Sequence, residues 1–138
     1  MAQIIFTPGE AVNMLMANDL LPEVITDIKV SDDTLVLNVA TPLPLVDSLP
    51  VSIKYLGFKE GRLELEVSVP ILKGKMLETV VHLVQGTLER RFHEQIQLDY
   101  PRLYVHINRL LVAKNIRSVE VREITFERGF FEIMVVAP

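Results

Sequence analysis

The feature that most constrains this chain is a β-hairpin pattern that its sequence repeats. Residues 119–138, VEVREITFERGFFEIMVVAP, align without a gap on residues 51–70, VSIKYLGFKEGRLELEVSVP. Residues 23–42, EVITDIKVSDDTLVLNVATP, form a weaker third copy. In each copy a short loop separates two arms that are rich in alternating apolar residues, which is the pattern of paired strands. Repetition of this kind predicts an antiparallel sheet built from equivalent hairpins.

The loops and the incoming arms allow two finer predictions. We expect loops of three residues, the last at positive φ, where Gly fits freely and Asp is tolerated; these loops are 31–33, 59–61 and 127–129. The apolar residues of each incoming arm change parity, which a strand with a period of two cannot do. The change falls within 25–28, 53–56 and 121–124. A β-bulge at the same place in each copy explains it.

Two segments predict helices. Thr7-Pro8-Gly9-Glu10 combines a cap, a proline suited to the first turn and a glutamate for a capping box, so a short helix begins there. Residues 73–93 have helical periodicity and one apolar face, formed by Leu77, Val80, Val81, Val84, Leu88 and Phe92 and widened by Met76 and Leu83. Glu78, Gln85 and Glu89 lie mostly opposite that face. Gly86 within the helix predicts the close approach of a strand.

The remaining segments complete a single domain, residues 1–138. Residues 41–50 are punctuated by proline and predict an extended loop, whereas 96–98 and 103–107 predict strands. Residues 109–115 do not alternate and end at a turn residue, Asn115. The predicted class is α+β: a strongly twisted antiparallel sheet of about six or seven strands, made of repeated hairpins and packed on the one long helix, with a short N-terminal helix.

No catalytic, cofactor or metal signature is evident in the sequence. The chain has no cysteine and three histidines. His82 and His93 share a helix face but are separated by roughly 16 Å of helical rise, too far for one metal ion, and His106 is expected to face solvent. There is no glycine-rich phosphate loop, no nucleophile elbow and no basic-aromatic platform for nucleic acid. We therefore expect a protein that is not an enzyme and that binds neither a cofactor nor nucleic acid.

Charge is distributed unevenly along the chain. The net charge is −4, yet residues 90–117 are mostly basic and residues 1–50 are mostly acidic. Such asymmetry is typical either of complementary surfaces within the fold or of an anionic partner. The first residues, MAQIIFTPGE, lack a basic segment and a cleavage pattern, which predicts a cytoplasmic protein. An exported protein whose leader had been removed would look the same.

The last hairpin is apolar on both faces. Its outward positions are Phe130, Glu132, Met134 and Val136, whereas the same positions of the second copy are Arg62, Glu64, Glu66 and Ser68. An apolar face that is left in water usually marks an interaction site. The long helix, a neighbouring subunit or a bound apolar molecule are the three candidates to cover it.

The segments RLYVHINRLLVAKN and VEVREITFERGFFEIMVV, together with the long helix, resemble the tubular lipid-binding superfamily. That superfamily includes the synaptotagmin-like mitochondrial lipid-binding domains, the bactericidal-permeability-increasing-protein fold and small bacterial relatives. The resemblance covers about residues 51–138 and consists of pattern, without a specific motif. It implies that an acyl chain binds between helix and sheet.

These observations lead to two function hypotheses. The first is a module that binds a lipid or another apolar ligand, also at an anionic membrane surface. Its pocket is predicted to contain Val80, Val84, Leu88, Phe130, Met134 and Val136, with Leu110, Leu111 and Val112 as its lip and Arg109, Lys114 and Arg117 near an anionic headgroup. The alternative is a self-associating scaffold protein, a homo-oligomer that uses the apolar face of the last hairpin as its interface.

Overall fold

The computed structural model describes residues 2–17, 25–31, 34–40 and 48–137. Within these ranges the chain forms nine strands and three helices, which confirms the α+β class. The elements are β1 (Ala2–Phe6), α1 (Pro8–Ala17), β2 (Ile25–Ser31), β3 (Thr34–Ala40), β4 (Ser48–Lys59), β5 (Arg62–Ser68), α2 (Gly74–Phe92), β6 (Ile96–Asp99), β7 (Arg102–His106), α3 (Ile107–Ala113), β8 (Glu120–Glu127) and β9 (Phe130–Val136).

The described strands divide into two antiparallel sheets, whereas the sequence predicted one. The six-stranded sheet has the order β2-β3-β4-β5-β7-β6, and the three-stranded sheet has the order β1-β9-β8. Strand β1 was not predicted, because its five residues, AQIIF, do not alternate and form too short an apolar run to be recognised. It pairs with β9 from Ala2 opposite Val135 to Phe6 opposite Phe131. The last hairpin therefore belongs to a different sheet from the first two.

The hairpin turns are shorter than predicted. Lys59 pairs with Arg62 and Glu127 pairs with Phe130, so two residues form each loop. Both residues of each loop have positive φ, 56° and 77° at Glu60 and Gly61, and 54° and 82° at Arg128 and Gly129. The prediction of positive φ at both glycines is confirmed, and the predicted three-residue loop is wrong. Positive φ at both loop positions is the geometry that matches the twist of paired strands.

Each incoming strand contains the predicted bulge. The register shifts at Thr26 in β2, at Leu56 in β4 and at Arg122 in β8. When the copies are aligned, the first and third bulges coincide, whereas that of β4 lies two residues later. The copies are therefore equivalent in construction but not in every position. Residues 23–24, 32–33 and 41–42 of the first copy lie outside the described ranges.

The helix termini follow the sequence closely. The Thr7 N–H donates to Glu10 Oε1 at 3.0 Å and the Glu10 N–H donates to Thr7 Oγ1 at 3.1 Å, so the predicted capping box is confirmed. Helix α2 covers Gly74–Phe92, flanked by Lys73 and His93, which agrees with the predicted helix over 73–93. Two segments differ. The predicted loop 41–50 is a strand from Ser48 onward, and its residues 41–47 are outside the described ranges. Part of the non-alternating segment 109–115 is helix α3.

The two sheets are joined through side chains of the six-stranded sheet and of α3. The Tyr55 hydroxyl donates to the Ile124 carbonyl at 2.6 Å. Its ring contacts Phe126 and Phe131, with ring centroids 6.3 and 5.7 Å apart. Burial, followed by the negative charge of Glu123, raises the pKa of the Tyr55 hydroxyl, which stays a donor at neutral pH. The inner face of the three-stranded sheet therefore packs on the bend of β4.

Helix α2 lies against the six-stranded sheet without being buried by it. Leu77 and Val80 pack on a small core cluster of Leu49, Val69 and Leu72, but no residue of α2 is buried. Leu83 is 58% exposed, so the prediction that Met76 and Leu83 widen the packed face is wrong. Gly86 does not admit a strand, because an added Cβ would meet only the Arg90 guanidinium, at 3.5 Å.

Candidate ligand-binding cleft

A cleft lies between helix α2, strand β6 and helix α3. Its volume is about 1140 Å³, slightly above the range of about 300–1,000 Å³ that is typical of small-molecule sites. We call it the α2 cleft. Its lining residues are Gln85, Leu88, Glu89, His93, Glu94, Gln95, Ile96, Gln97, Leu98, Asn108, Arg109 and Val112.

The cleft exists because α2 is attached to the edge strand and does not lie flat on the sheet. The Gln85 side-chain amide donates to the Leu98 carbonyl of β6 at 2.9 Å. Strand β6 is the last strand of the six-stranded sheet, so this carbonyl has no strand partner on its outer side. The hydrogen bond therefore satisfies an edge carbonyl. It also keeps the C-terminal half of the helix beside the edge of the sheet.

The floor of the α2 cleft continues the apolar face of the sheet. Ile96 and Leu98 lie opposite Val105 and Leu103 of β7, which in turn lie opposite Leu63 and Leu65 of β5. Directly paired residues share one face of a sheet. These residues are all half-buried, so α2 shields the face only in part.

The wall of the α2 cleft is amphipathic. Its apolar contributors are Leu88, Ile96, Leu98 and Val112, and its other residues carry amides, carboxylates, an imidazole and a guanidinium. Such a lining fits a molecule with an apolar part on the floor and a polar part at the rim. A wholly apolar ligand would leave much of the wall without a complementary contact.

The structure brings together three of the predicted site residues. Leu88, Val112 and Arg109 line the α2 cleft, whereas Val80 packs against the core cluster and Val84 is 41% exposed. The other predicted residues do not line the cleft; these are Leu110, Leu111, Lys114, Arg117, Phe130, Met134 and Val136. Ile96 and Leu98 of the floor were recognised as a strand but not as site residues. Their alternation, next to the C-terminal end of the helix, was the signal available.

Phe130, Met134 and Val136 lie on the outer face of the three-stranded sheet. Phe131 contacts Phe6 and Phe126 on the inner face, with ring centroids 5.5 and 4.6 Å apart. Because side chains alternate along a strand, the even-numbered residues of β9 point the opposite way. Phe130 is 48% exposed and neighbouring Ile5 is 57% exposed. This outer face is therefore separate from the α2 cleft.

The histidines lie apart in the described structure. His93 lines the α2 cleft, His82 is exposed on α2, and His106 lies on the polar face of β7 with its Nε2 3.4 Å from Gln97 Oε1. Among the described residues, no three His, Asp or Glu side chains are close enough to hold a metal ion together. The amides, carboxylates, imidazole and guanidinium at the α2 cleft can offer hydrogen bonds and charge to a ligand.

The amount of exposed surface is high for a chain of this size. The accessible surface is 9404 Å², about 2000 Å² above the ~7300 Å² expected for a compact monomer of 15.7 kDa. In the described residues only Pro8 and six other apolar side chains are buried, while fourteen large ones are exposed. An open α2 cleft and an apolar outer face on β9 are both part of this surface.

Comparisons with protein-family models, curated proteins and solved structures found no match to this chain. No helix among the described residues combines the length and the apolar character needed to cross a membrane.

Proposed function

We propose that this protein is a non-enzymatic binding module for an amphipathic ligand with an acyl-like apolar chain. The observation that carries the proposal is the apolar face of the six-stranded sheet, which helix α2 covers only partly. At the α2 cleft, Ile96 and Leu98 present this face to a space of about 1140 Å³. Burying such a face is favourable by about 25 cal/mol for each Å² of apolar surface removed from water.

The shape of the α2 cleft favours a small amphiphile over a folded partner. Its lining combines four apolar residues with carboxylates and amides, so an apolar chain can be removed from water while its polar end stays solvated. Leu88 from α2 and Val112 from α3 add apolar surface to the same lining. This arrangement supports an apolar-ligand function at a different place from the one the sequence predicted.

A matched pair of variants tests this function. Val112 is 45% exposed and lines the α2 cleft, whereas Leu83 is 58% exposed and does not line it. Both sites are helical and exposed, so Glu at either position should leave the fold intact. We expect Val112→Glu to lower the affinity for dodecanol at least ~10-fold, because it places a charge against the apolar floor. Leu83→Glu should bind like the original protein.

The binding measurement is titration calorimetry with dodecanol, preceded by native mass spectrometry of the purified protein for co-purifying lipid. If the original protein binds neither dodecanol nor a co-purifying amphiphile, the proposed function is wrong. Equal loss of affinity in both variants would also contradict the assignment of the α2 cleft.

The outer face of the three-stranded sheet supports a second candidate function, self-association as a scaffold. Phe130 and Ile5 are both exposed there, Ile5 lies opposite Glu132, and Met134 follows along the same face of β9. A second copy of the chain could cover this apolar face. Phe130→Glu should then convert an oligomer to a monomer in sedimentation velocity. A protein that is monomeric before the substitution has no such interface.

A further inference from the structure

A smaller cleft adjoins the α2 cleft at the turn between β4 and β5. We call it the turn cleft, and its volume is about 350 Å³. Its lining residues are Lys59, Glu60, Gly61, Arg62, His106, Asn108 and Arg109. Asn108 and Arg109 line both clefts, so the two spaces meet at the start of helix α3. Arg109 can therefore contact a ligand held in either space.

The turn cleft carries more positive than negative charge. Lys59, Arg62 and Arg109 contribute three cations, and Glu60 is the one carboxylate among the lining residues. Arg62 is already engaged, because its Nη2 lies 2.9 Å from Glu64 Oε1 and its guanidinium lies 4.2 Å from the centre of the Tyr104 ring. Within the described ranges, Lys59 and Arg109 have no carboxylate within 4.0 Å. These two exposed cations are therefore available to an anion.

The pKa of His106 depends on burial and on the charges around the turn cleft. Burial lowers the pKa of His106, and the positive charges of Arg109 and Arg62 lower it further, whereas the carboxylate of Glu94 acts in the opposite direction. The cations therefore outweigh the carboxylate at this position. An anion in the turn cleft would offset the positive charges of Arg109 and Arg62, and it would therefore raise the pKa of His106.

We infer that the turn cleft is the anionic-headgroup subsite of the α2 cleft, so that the ligand is a single-chain amphiphile with a phosphate or carboxylate headgroup. This inference rests on the proposed function. Arg109 is placed to contact the headgroup because it lines both spaces, and Lys59 approaches from the β4–β5 turn. Arg62 and His106 form the polar wall behind them. Lys114 and Arg117, which the sequence also suggested, lie outside both clefts.

The guanidinium of Arg109 offers a headgroup a geometric fit as well as a charge. Its N–H groups form a planar fork that matches two oxygens of a phosphate or carboxylate. The Asn108 amide is not free to compete, because its Nδ2 donates to the Val121 carbonyl at 3.0 Å and its Oδ1 accepts from the Val121 N–H at 2.8 Å. Asn108 therefore fixes the start of α3, and the next residue presents its charge to the ligand.

The test compares Arg109→Gln with Arg117→Gln, which removes the same charge from an exposed arginine outside both clefts. Titration calorimetry measures the affinity of each variant for dodecyl phosphate and for uncharged dodecanol. One arginine near an anionic group is worth about fivefold in affinity. We expect Arg109→Gln to lower the affinity for dodecyl phosphate about fivefold and the affinity for dodecanol less than about 1.5-fold. Arg117→Gln should change neither by more than about 1.5-fold.

A second measurement locates the headgroup. The NMR titration of His106 should shift to a higher pKa when dodecyl phosphate is bound, because the anion offsets Arg109 and Arg62, and dodecanol should produce no such shift. If both variants lose the same affinity for dodecyl phosphate, the assignment of the subsite is wrong. It is also wrong if Arg109→Gln lowers the affinity for dodecanol as much as the affinity for dodecyl phosphate. Inorganic phosphate that binds as tightly as dodecyl phosphate would assign the turn cleft to a free anion instead. If dodecanol binds and Arg109→Gln changes nothing, the proposed function stands and this inference fails; if no amphiphile binds, both fail.

Discussion

Hairpins β4–β5 and β8–β9 share a two-residue turn, a bulged incoming strand and an alternating return strand, but they lie in different sheets. In β4–β5 both strands are flanked by further strands, β3 on one side and β7 on the other. In β8–β9 the incoming strand β8 is an edge. The same local pattern thus ends in two environments, and the environment decides which side chains are buried and which backbone groups need a partner.

Two aligned residues show the effect on burial. Ile124 of β8 and Leu56 of β4 occupy the same position of the repeat, yet Ile124 is 6% exposed and Leu56 is 38% exposed. Leu56 is the bulged residue of β4, whereas the bulge of β8 lies two residues before Ile124. Displacement of a bulge by two residues therefore moves one member of the pair from the core to the surface.

The largest predicted effect comes from this pair. Ile124→Ala should lower the free energy of unfolding by about 2–4 kcal/mol, because it leaves a cavity between the sheets. Leu56→Ala should cost less, about 1 kcal/mol, because Leu56 is already 38% exposed and its truncation leaves no closed cavity. Urea denaturation of both variants measures the difference. Equal losses would mean that the two positions are equivalent after all.

The next effect concerns the edge strand. The Val121 N–H and carbonyl are bound by the Asn108 side chain, whereas the aligned Ile53 lies between Leu35 of β3 and Val67 of β5. Asn108→Ala removes both hydrogen bonds and should cost about 2 kcal/mol. Hydrogen exchange of the Val121 amide should also become faster. Asn108→Asp is the control, since it keeps an acceptor for the Val121 N–H; unchanged exchange in Asn108→Ala would contradict the account.

The turns are where the two hairpins should behave alike. Gly61→Ala and Gly129→Ala force a side chain into positive φ and should each cost about 1–2 kcal/mol. An added Cβ meets no close atom at Gly129, and only Asn108 Nδ2 at 3.6 Å at Gly61. Backbone strain is therefore the common cause. Gly57→Ala, at a position without positive φ, is the control. If the two substitutions lower the free energy of unfolding by widely different amounts, the surroundings of each turn contribute as well as backbone strain.

The smallest effect is a pH dependence of stability that arises from His106, which lies on β7 opposite Arg62 of β5. The pKa of His106 is lowered from its usual 6.5, so between the two values the unfolded chain binds more protons than the folded chain. Stability should therefore fall as pH decreases through 6.5 and recover above it. His106→Gln should flatten this part of the profile, measured by thermal unfolding between pH 5 and pH 8. A variant with an unchanged slope would contradict the prediction.

Much of the local structure was predictable because the relevant interactions are short in range. The Thr7–Glu10 capping box, the limits of α2 and the positive φ of Gly61 and Gly129 all depend on residues within a few positions of each other. Helix α3 was missed because its seven residues follow directly from β7, and a short apolar segment does not separate helix from strand. The candidate cleft was predicted only through Leu88, Val112 and Arg109, since no local pattern places them beside β6.

The sequence by itself determined three hairpins, their bulged arms, two helices, the first with its capping box, and an excess of apolar side chains, because each follows from periodicity or from the preferences of residues close together in the chain. Only the tertiary structure decided that the last hairpin joins β1 in a second sheet, that α2 attaches to the edge of β6, and that the α2 cleft and the turn cleft meet at Asn108 and Arg109. These outcomes depend on contacts between residues far apart in the chain, such as Tyr55 with Ile124 and Gln85 with Leu98. The alternation of one strand does not specify which neighbour will bury its face.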